Sequence, residues 1–559
     1  MRDVIWTFVM LFSFDVALAQ GPEPYAIIIH EILADPTPSR GLPNAEFIEL
    51  RNRSGRDLDL RGIQLSNGST TGRVSSTFLL KADSVVILCS SGSAAAFALY
   101  GRTLVLSPFP SLDNDGDTLV LLASSGSVVH AVAWEKSWYG NDVKQDGGWS
   151  IEMIDPELPC AGKMNWAASL AGTGGTPGKK NSVERTLTDT VAPWVSYAYM
   201  PDSVTLRIRF SEPLASTPRI DLVGYLVPSV SLLPPLFNEA SALLNRPMPK
   251  AAVVMAEVNG ITDCRGNKKT DSIRVGRSAV DARGKLVINE VLFDPPPGGA
   301  DYVELYNRSD EVVDLGALFL ANRNSSGNIS SLSRPSVSPY PLLPEGYVAL
   351  SSDTGWLKQY YQPGTIILMQ MPLPSFPDGE GNVIVTDLGG NVVDELVYSS
   401  KWHQALVSNP RGVALERLMW NKPTQDPQNW YSAASTVRFG TPGLRNSQSP
   451  GKWGLAAKVM TLSSPLISPN LDGRDDVLII RYTLPGPGWM ANISVFDTHG
   501  INLKTIANNA LCGSYGFFRW EGKAENNTAL PTGNYIIFGE FFSLNGERLR
   551  EKLVVGIWN

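Results

Sequence analysis

Cysteine and histidine are scarce in this chain, with four of each in 559 residues. Cys89, Cys160, Cys264 and Cys512 form no CxxC pair. His30, His130, His403 and His499 form no HxH, HExxH or HxxxH, so a zinc-type site has no support. Each histidine is expected on a strand or turn surface. G-x-S-x-G, the P-loop and the glycine fingerprint of nucleotide binding are absent as well. Charge is modest at 18% of residues, with a net charge of −7 and a pI near 5.4. That acidity argues against a nucleic-acid partner, because binding to phosphate backbones needs a basic face. No apolar run reaches the roughly 20 residues that cross a bilayer, which excludes a membrane-spanning helix in the mature chain. No long stretch keeps a 3.6-residue amphipathic period.

What is abundant points to short strands and many turns. There are 50 glycines and 40 prolines. The N-terminal "VIWTFVMLFSF" followed by "ALA" at Ala17–Ala19 reads as an export signal over residues 1–19, cleaved after Ala19. Export places the chain at the cell surface or outside the cell. It also permits disulfides, and Cys89 and Cys160, in one candidate domain, are the pair considered; the alternative is two buried free thiols.

The dominant feature is internal duplication. "HEILADP" (His30–Pro36) matches "NEVLFDP" (Asn289–Pro295), and "AEFIELRNRSGRDLDLRGIQLSN" (Ala45–Asn67) matches "ADYVELYNRSDEVVDLGALFLAN" (Ala300–Asn322) without a gap. "GWSIEMI" pairs with "GVALERL", Asn165-Trp166 with Asn429-Trp430, and "GTPGKKN" with "GTPGLRN", all in the same order. Order-preserving matches over about 160 residues identify duplicated domains. Within each copy, alternation such as "EFIEL" and hairpin-like stretches such as "TLVLLASSGSVVHAVAW" and "NVIVTDLGGNVVDELVY" predict strands and tight turns. Each copy is therefore expected to be an all-β sandwich or barrel.

"INEVLFDP…DYVELYN…VDL", the following hairpin and the closing "NW…GTPG..N" resemble the lamin-tail domain of secreted bacterial proteins. The resemblance implies an Ig-like β-sandwich, a binding or structural module, and no catalytic residues. Between the copies, "DTVAPWV", "IRFSEP" and "ITDCRGN" are similar to bacterial Ig-like domains. After Pro450, "SPNLDGRDD", "FFRWEGK" and "LPTGNY" resemble the Ig-like domain of hook-capping proteins and the C-terminal modules of Bacteroidetes surface proteins, some of which act as type IX sorting signals. The expected organisation is a signal at 1–19, a first lamin-tail-like sandwich at 25–185, a bacterial Ig-like domain at 187–283, a second lamin-tail-like sandwich at 285–448 and a C-terminal Ig-like domain at 455–559. The fold class is all-β, built of tandem Ig-like β-sandwich domains.

Several groups could carry chemistry. Glu31 and Glu49 recur as Glu290 and Glu304; paired carboxylates can do acid–base work, but here they are expected to pair with Arg51, Arg53 or Arg308 or to accept backbone donors. "DNDGD" (Asp113–Asp117) reads as a polar turn, its second-copy counterpart "DGEGN" having lost acids. Asn470, Asp472, Asp475 and Asp476 surround one glycine turn and form a candidate calcium site, against an Asx-rich turn entering a strand. Trp138, Tyr139 and Trp149 could stack on sugar, but Val413 stands in place of Trp149 in the second copy, which favours packing. The sequence thus predicts no enzyme and no cofactor except candidate calcium. It predicts an exported surface protein that adheres, scaffolds or spaces, with a cell-surface polymer or protein as its partner. The alternative is a carbohydrate- or DNA-binding accessory of an exported hydrolase or nuclease system.

Overall fold

The structure is a computed structural model that describes residues 22–361, 366–407, 409–450 and 458–558. The export-signal reading, at residues 1–19, lies outside the described residues. The chain divides into two units: one runs to Ala198 and includes Val204–Pro247 and Met255–Ile273; the other holds Tyr199–Ser203, Met248–Val254 and everything from Arg274. Strands dominate throughout, as the all-β reading expects. Among the described residues the α-helices are Ala94–Phe97 and Thr354–Tyr361, and none is long and apolar enough to cross a membrane.

In the first unit, β1 (Ile27–Leu33), β2 (Phe47–Asn52), β3 (Val85–Cys89) and β4 (Ile151–Met153) build a six-stranded sheet. Its order is Trp166–Ala168, β4, β1, β2, β3, Thr103–Val105. A four-stranded sheet of Val128–Glu135, Gly116–Leu122, Gln64–Ser66 and Thr71–Arg73 faces it. Alternate apolar residues of the two sheets, among them Ile27, Ile29, Leu50, Leu119, Leu121 and Trp134, interdigitate into the sandwich core. The other face of the six-stranded sheet is covered too: Leu33, Phe47, Ile87 and Cys89 pack on Phe97 of the short helix. All seven residues of β1 are consequently buried, which is why its sequence "IIIHEIL" does not alternate.

The second unit repeats this plan. β5 (Leu286–Leu292), β6 (Tyr302–Asn307), β7 (Tyr347–Ser351) and β8 (Leu415–Arg417) form a sheet ordered Trp430–Ser432, β8, β5, β6, β7, Leu368–Gln370. The outermost pairing beyond β3, and likewise beyond β7, is parallel in both copies. The central strand carries the same register shift, between Ile29 and Glu31 in β1 and between Ile288 and Glu290 in β5, a bulge that re-aims the side chain at its centre. Past Pro450, a three-stranded and a five-stranded sheet enclose a separate core that includes Trp489, Trp520 and Phe541. Between the copies, a four-stranded sheet begins with Val195–Tyr199 and a three-stranded sheet ends with Lys268–Gly276.

The Cys89–Cys160 bond that the sequence left open is not formed. Cys160 is joined to Cys264, with Cα atoms 6.3 Å apart, while Cys89 and Cys512 are buried free thiols. The cause is strand direction: Cys89 points into the Phe47–Phe97 cluster, whereas Cys160 lies in the loop after β4. The bond ties the first sandwich to the segment that follows it, both within the first unit. Non-reducing peptide mapping is expected to link the peptides of Cys160 and Cys264 and to leave Cys89 alkylated only after denaturation. Cys264→Ser should lower the stability of the first unit by about 2–4 kcal/mol in denaturant melts, and Cys89→Ala should leave that crosslink intact.

Candidate functional site

The densest set of titratable groups sits at the same place in both copies. Register makes Glu31 the direct cross-strand partner of Glu49 on one side and Glu152 on the other. In the second copy Glu290 lies between Glu304 and Glu416. All six side chains are fully buried. Three carboxyls side by side across adjacent strands repel when charged, and a dry charge is costly.

The "GTPG" segment covers this row. In the first copy Thr176 donates its N–H to Glu31 Oε1 (2.7 Å) and its hydroxyl to Glu152 Oε1 (2.9 Å), while Gly178 N–H donates to Glu49. Ser150 adds a bond to Glu31 (2.6 Å) and Ser182 one to Glu152 (2.7 Å). In the second copy Thr441 N–H donates to Glu290 (2.9 Å), Gly443 N–H to Glu304, and Ser447 Oγ and Gln448 N–H to Glu416 at 2.9 and 2.8 Å. The segment is then pinned by Asn181 to the carbonyls of His30 and Met153, and by Asn446 to those of Asn289 and Arg417. Gly178 has φ +75°, and a Cβ there would run into the Tyr100 carbonyl, so only glycine brings its N–H to Glu49.

Proton counting argues against a fully ionised row in the second copy. Thr441 Oγ1 is 2.9 Å from Glu290 Oε2 and 2.9 Å from Glu416 Oε1. A hydroxyl has one proton to give, so the second contact is a hydrogen bond only if a carboxyl donates. Burial is the first cause that raises Glu31, Glu49, Glu290, Glu304 and Glu416. Glu49 and Glu290 are each pushed up to about 8, and Glu31, Glu304 and Glu416 are raised as well, with neighbouring carboxylates adding to burial at Glu31, Glu290 and Glu304. His30 goes the other way, to about 4, through burial and then Arg51. Its Nδ1 lies 3.1 Å from Glu49, and both shifts favour the neutral forms.

The other histidine reading also changes. His30 and His130 are buried rather than on the surface, while His499 is 84% exposed. His130 Nδ1 accepts the N–H of Ile29 (2.9 Å), and Asp394, its counterpart, accepts that of Ile288 (2.8 Å). Each satisfies a backbone donor beside the bulge. Glu31 and Glu49 do accept backbone donors, but Arg51 and Arg53 pair with Glu184 and Glu157 instead of with them.

Asn470, Asp472, Asp475 and Asp476 come together in one turn. There Asn470, Asp472 and Asp476 accept N–H groups of the turn itself, from Asp472, Arg474, Leu471 and Gly473. A different set has metal-ligand spacing among the described residues: Asp189, Glu212 and Asp263, whose oxygens lie within 4.8 Å of one another. Burial, then Asp189 and Asp263, push Glu212 up to about 7. Asp263 already accepts from Arg265 and Asn267. The signal for this trio was present in "IRFSEP" and "ITDCRGN", but the trio itself depends on loops far apart in sequence. Tyr139 is buried, and Trp138 and Trp149 pack on the sandwich core, with Lys144 4.5 Å from the Trp149 ring centre.

Comparison with known proteins places part of the chain. The family model described as Lamin Tail Domain matches residues 21–136, the first two thirds of the first copy. No curated relative matches the sequence. Among solved structures, a DUF4876 family protein from Bacteroides thetaiotaomicron is 11% identical, with 41% of this chain and 90% of that one covered and a TM-score of 0.18. The N-terminal part of the bacterial S-layer protein SbsC is 13% identical, with 37% and 44% covered and a TM-score of 0.16. A tetra-tandem repeat from the extending region of a large adhesion protein is 11% identical, with 95% and 100% covered and a TM-score of 0.13. At these scores the structural likenesses carry no argument about function.

Two outcomes follow from the buried row. A carboxyl whose pKa rises on folding keeps a proton that the unfolded chain releases. Its stabilisation is complete below the ordinary glutamate range and is lost as pH rises through about 8. Thermal midpoints are therefore expected to fall between about pH 5 and about pH 8, and Glu49→Gln with Glu290→Gln should flatten that slope. Thr441→Val, which removes the hydroxyl shared by two buried carboxyls, should cost about 1–3 kcal/mol in denaturant melts of the second unit.

Proposed function

We propose that the chain is a non-catalytic exported surface protein that adheres, scaffolds or spaces outside the cell, with a cell-surface polymer or protein as its partner. Two lamin-tail-type sandwiches, a bacterial Ig-like domain and a C-terminal Ig-like module at 455–559 make up the string, and the last serves sorting or attachment. The observation that carries this reading is the closure of the glutamate rows. Acids that could do acid–base work are buried at 0% exposure in both copies, and each is held by N–H and hydroxyl donors of its own chain. A substrate atom must come within hydrogen-bond reach of a catalytic acid, and here the covering segment fills that position. The rows fasten the end of each sandwich to its central strands.

Protease shaving of intact cells is the test. The full chain is expected to be cleaved from the surface, and deletion of 455–559 should abolish surface exposure or retention. A chain that stays protected inside the cell would overturn the surface assignment, and turnover of an ester, glycoside or phosphodiester by the purified chain would overturn the non-catalytic one.

A further inference from the structure

Both copies carry a cleft at the same place, where the strand pair β2–β3 or β6–β7 meets the residues just after "GTPG". The two clefts have diverged in chemistry. In the first copy the cleft is about 440 Å³ and is lined by His30, Arg51, Val85 and Lys180, with Arg51 closed onto Glu184 at 3.1 Å. In the second it is about 820 Å³, within the range of roughly 300–1,000 Å³ typical of small-ligand sites. There Tyr306 replaces Arg51 and Tyr347 replaces Val85. The two tyrosines are register partners on β6 and β7, and their rings stack with centres 4.6 Å apart. Trp420, half exposed, stands on the wall of the same cleft.

From this lining we infer that the second cleft is a binding site for a neutral oligosaccharide. Aromatic faces are electron-rich and take the C–H face of a sugar ring; the half-exposed Trp420 offers such a face, and Tyr347 a second, backed by Tyr306, which is only 8% exposed. The hydroxyls of Tyr306 and Tyr347 have no protein partner among the described residues. Arg308, Arg417 and Arg445 give N–H groups to carbonyls, and their charges are offset by Glu345, Asp310 and, 3.5 Å from Arg417, Asp394. No excess of positive charge is left to select an anionic ligand. Glu345 and Asp310 line the cleft as exposed carboxylates with no side-chain partner. They are acceptors that call for ligand donors. Sugar hydroxyls supply donors; a proline-rich strand, which also favours aromatic grooves, offers mainly carbonyl acceptors and leaves them unmet. The inference does not depend on where the chain resides.

The test is calorimetric titration of the full chain with cellohexaose, laminarihexaose, mannohexaose and xylohexaose, and with decaproline, each up to about 10 mM, beyond the weak end of specific affinity. Saturable one-site binding of at least one oligosaccharide is expected. Trp420→Ala should weaken it about tenfold or more with an unchanged thermal midpoint, and Tyr347→Phe, which keeps the ring, should stay within about threefold. Three results would each overturn the assignment: no binding of any of the four sugars, sugar binding indifferent to Trp420→Ala, or binding of decaproline alone. None of these bears on the shaving result, so the surface role stands or falls separately.

Discussion

The structure rests on three carboxyl groups set side by side in a dry sheet. Left alone, Glu31, Glu49 and Glu152 would force water into the sandwich or push the strands apart. Two things make the row tolerable. Carboxyls hold protons because burial and mutual repulsion favour the neutral form, and a segment from the far end of the domain brings backbone N–H and hydroxyl groups to each. The same solution appears at Glu290, Glu304 and Glu416. A polar network of this kind ties the terminal segment to the row, because the donors that meet the buried carboxyls are largely its own.

That placement has consequences along the chain. Once "GTPG" is docked, the residues that follow are fixed at the edge of the sheet. In the second unit they go on to meet the C-terminal module: Gln448 donates to the Cys512 carbonyl, and Ser514 N–H donates to that of Ser447. The docked segment also forms one wall of the cleft in each copy. The scaffold is common to both, and the cleft-lining positions on β2 and β3, or β6 and β7, are where the copies differ. The buried row is alike in the two copies and the adjoining rim is not, so the module keeps its fold while its surface diverges.

Much of the fold was legible in the sequence because its signals are local. Alternation in "EFIEL" and "YVELY", hairpin turns and the order of matched segments all report on neighbours within a few residues, and the two sheets of each sandwich follow from them. The glutamates were partly legible. Glu31 and Glu49 stood out by recurrence, but Glu152 and Glu416 did not, although they recur within the matched "SIEMI" and "ALERL". Their importance comes from register with a strand more than a hundred residues away. The same holds for "GTPG", visible as a repeated motif whose partners no spacing reveals. The histidines misled for a related reason: no short motif joins them, which placed each on a strand or turn surface, whereas His130 and Asp394 perform one task, accepting an N–H beside the bulge.

By itself the sequence determined the β character and the duplication, since each is written in short-range patterning and in self-similarity. Only the tertiary structure decided which cysteines pair, that the repeated acids form a closed row, and that Tyr306 and Tyr347 stand together in a cleft beside it. Those outcomes depend on strand direction and cross-strand register. A single residue of register moves a side chain from one face of a sheet to the other, and no local pattern records which distant residue will stand opposite.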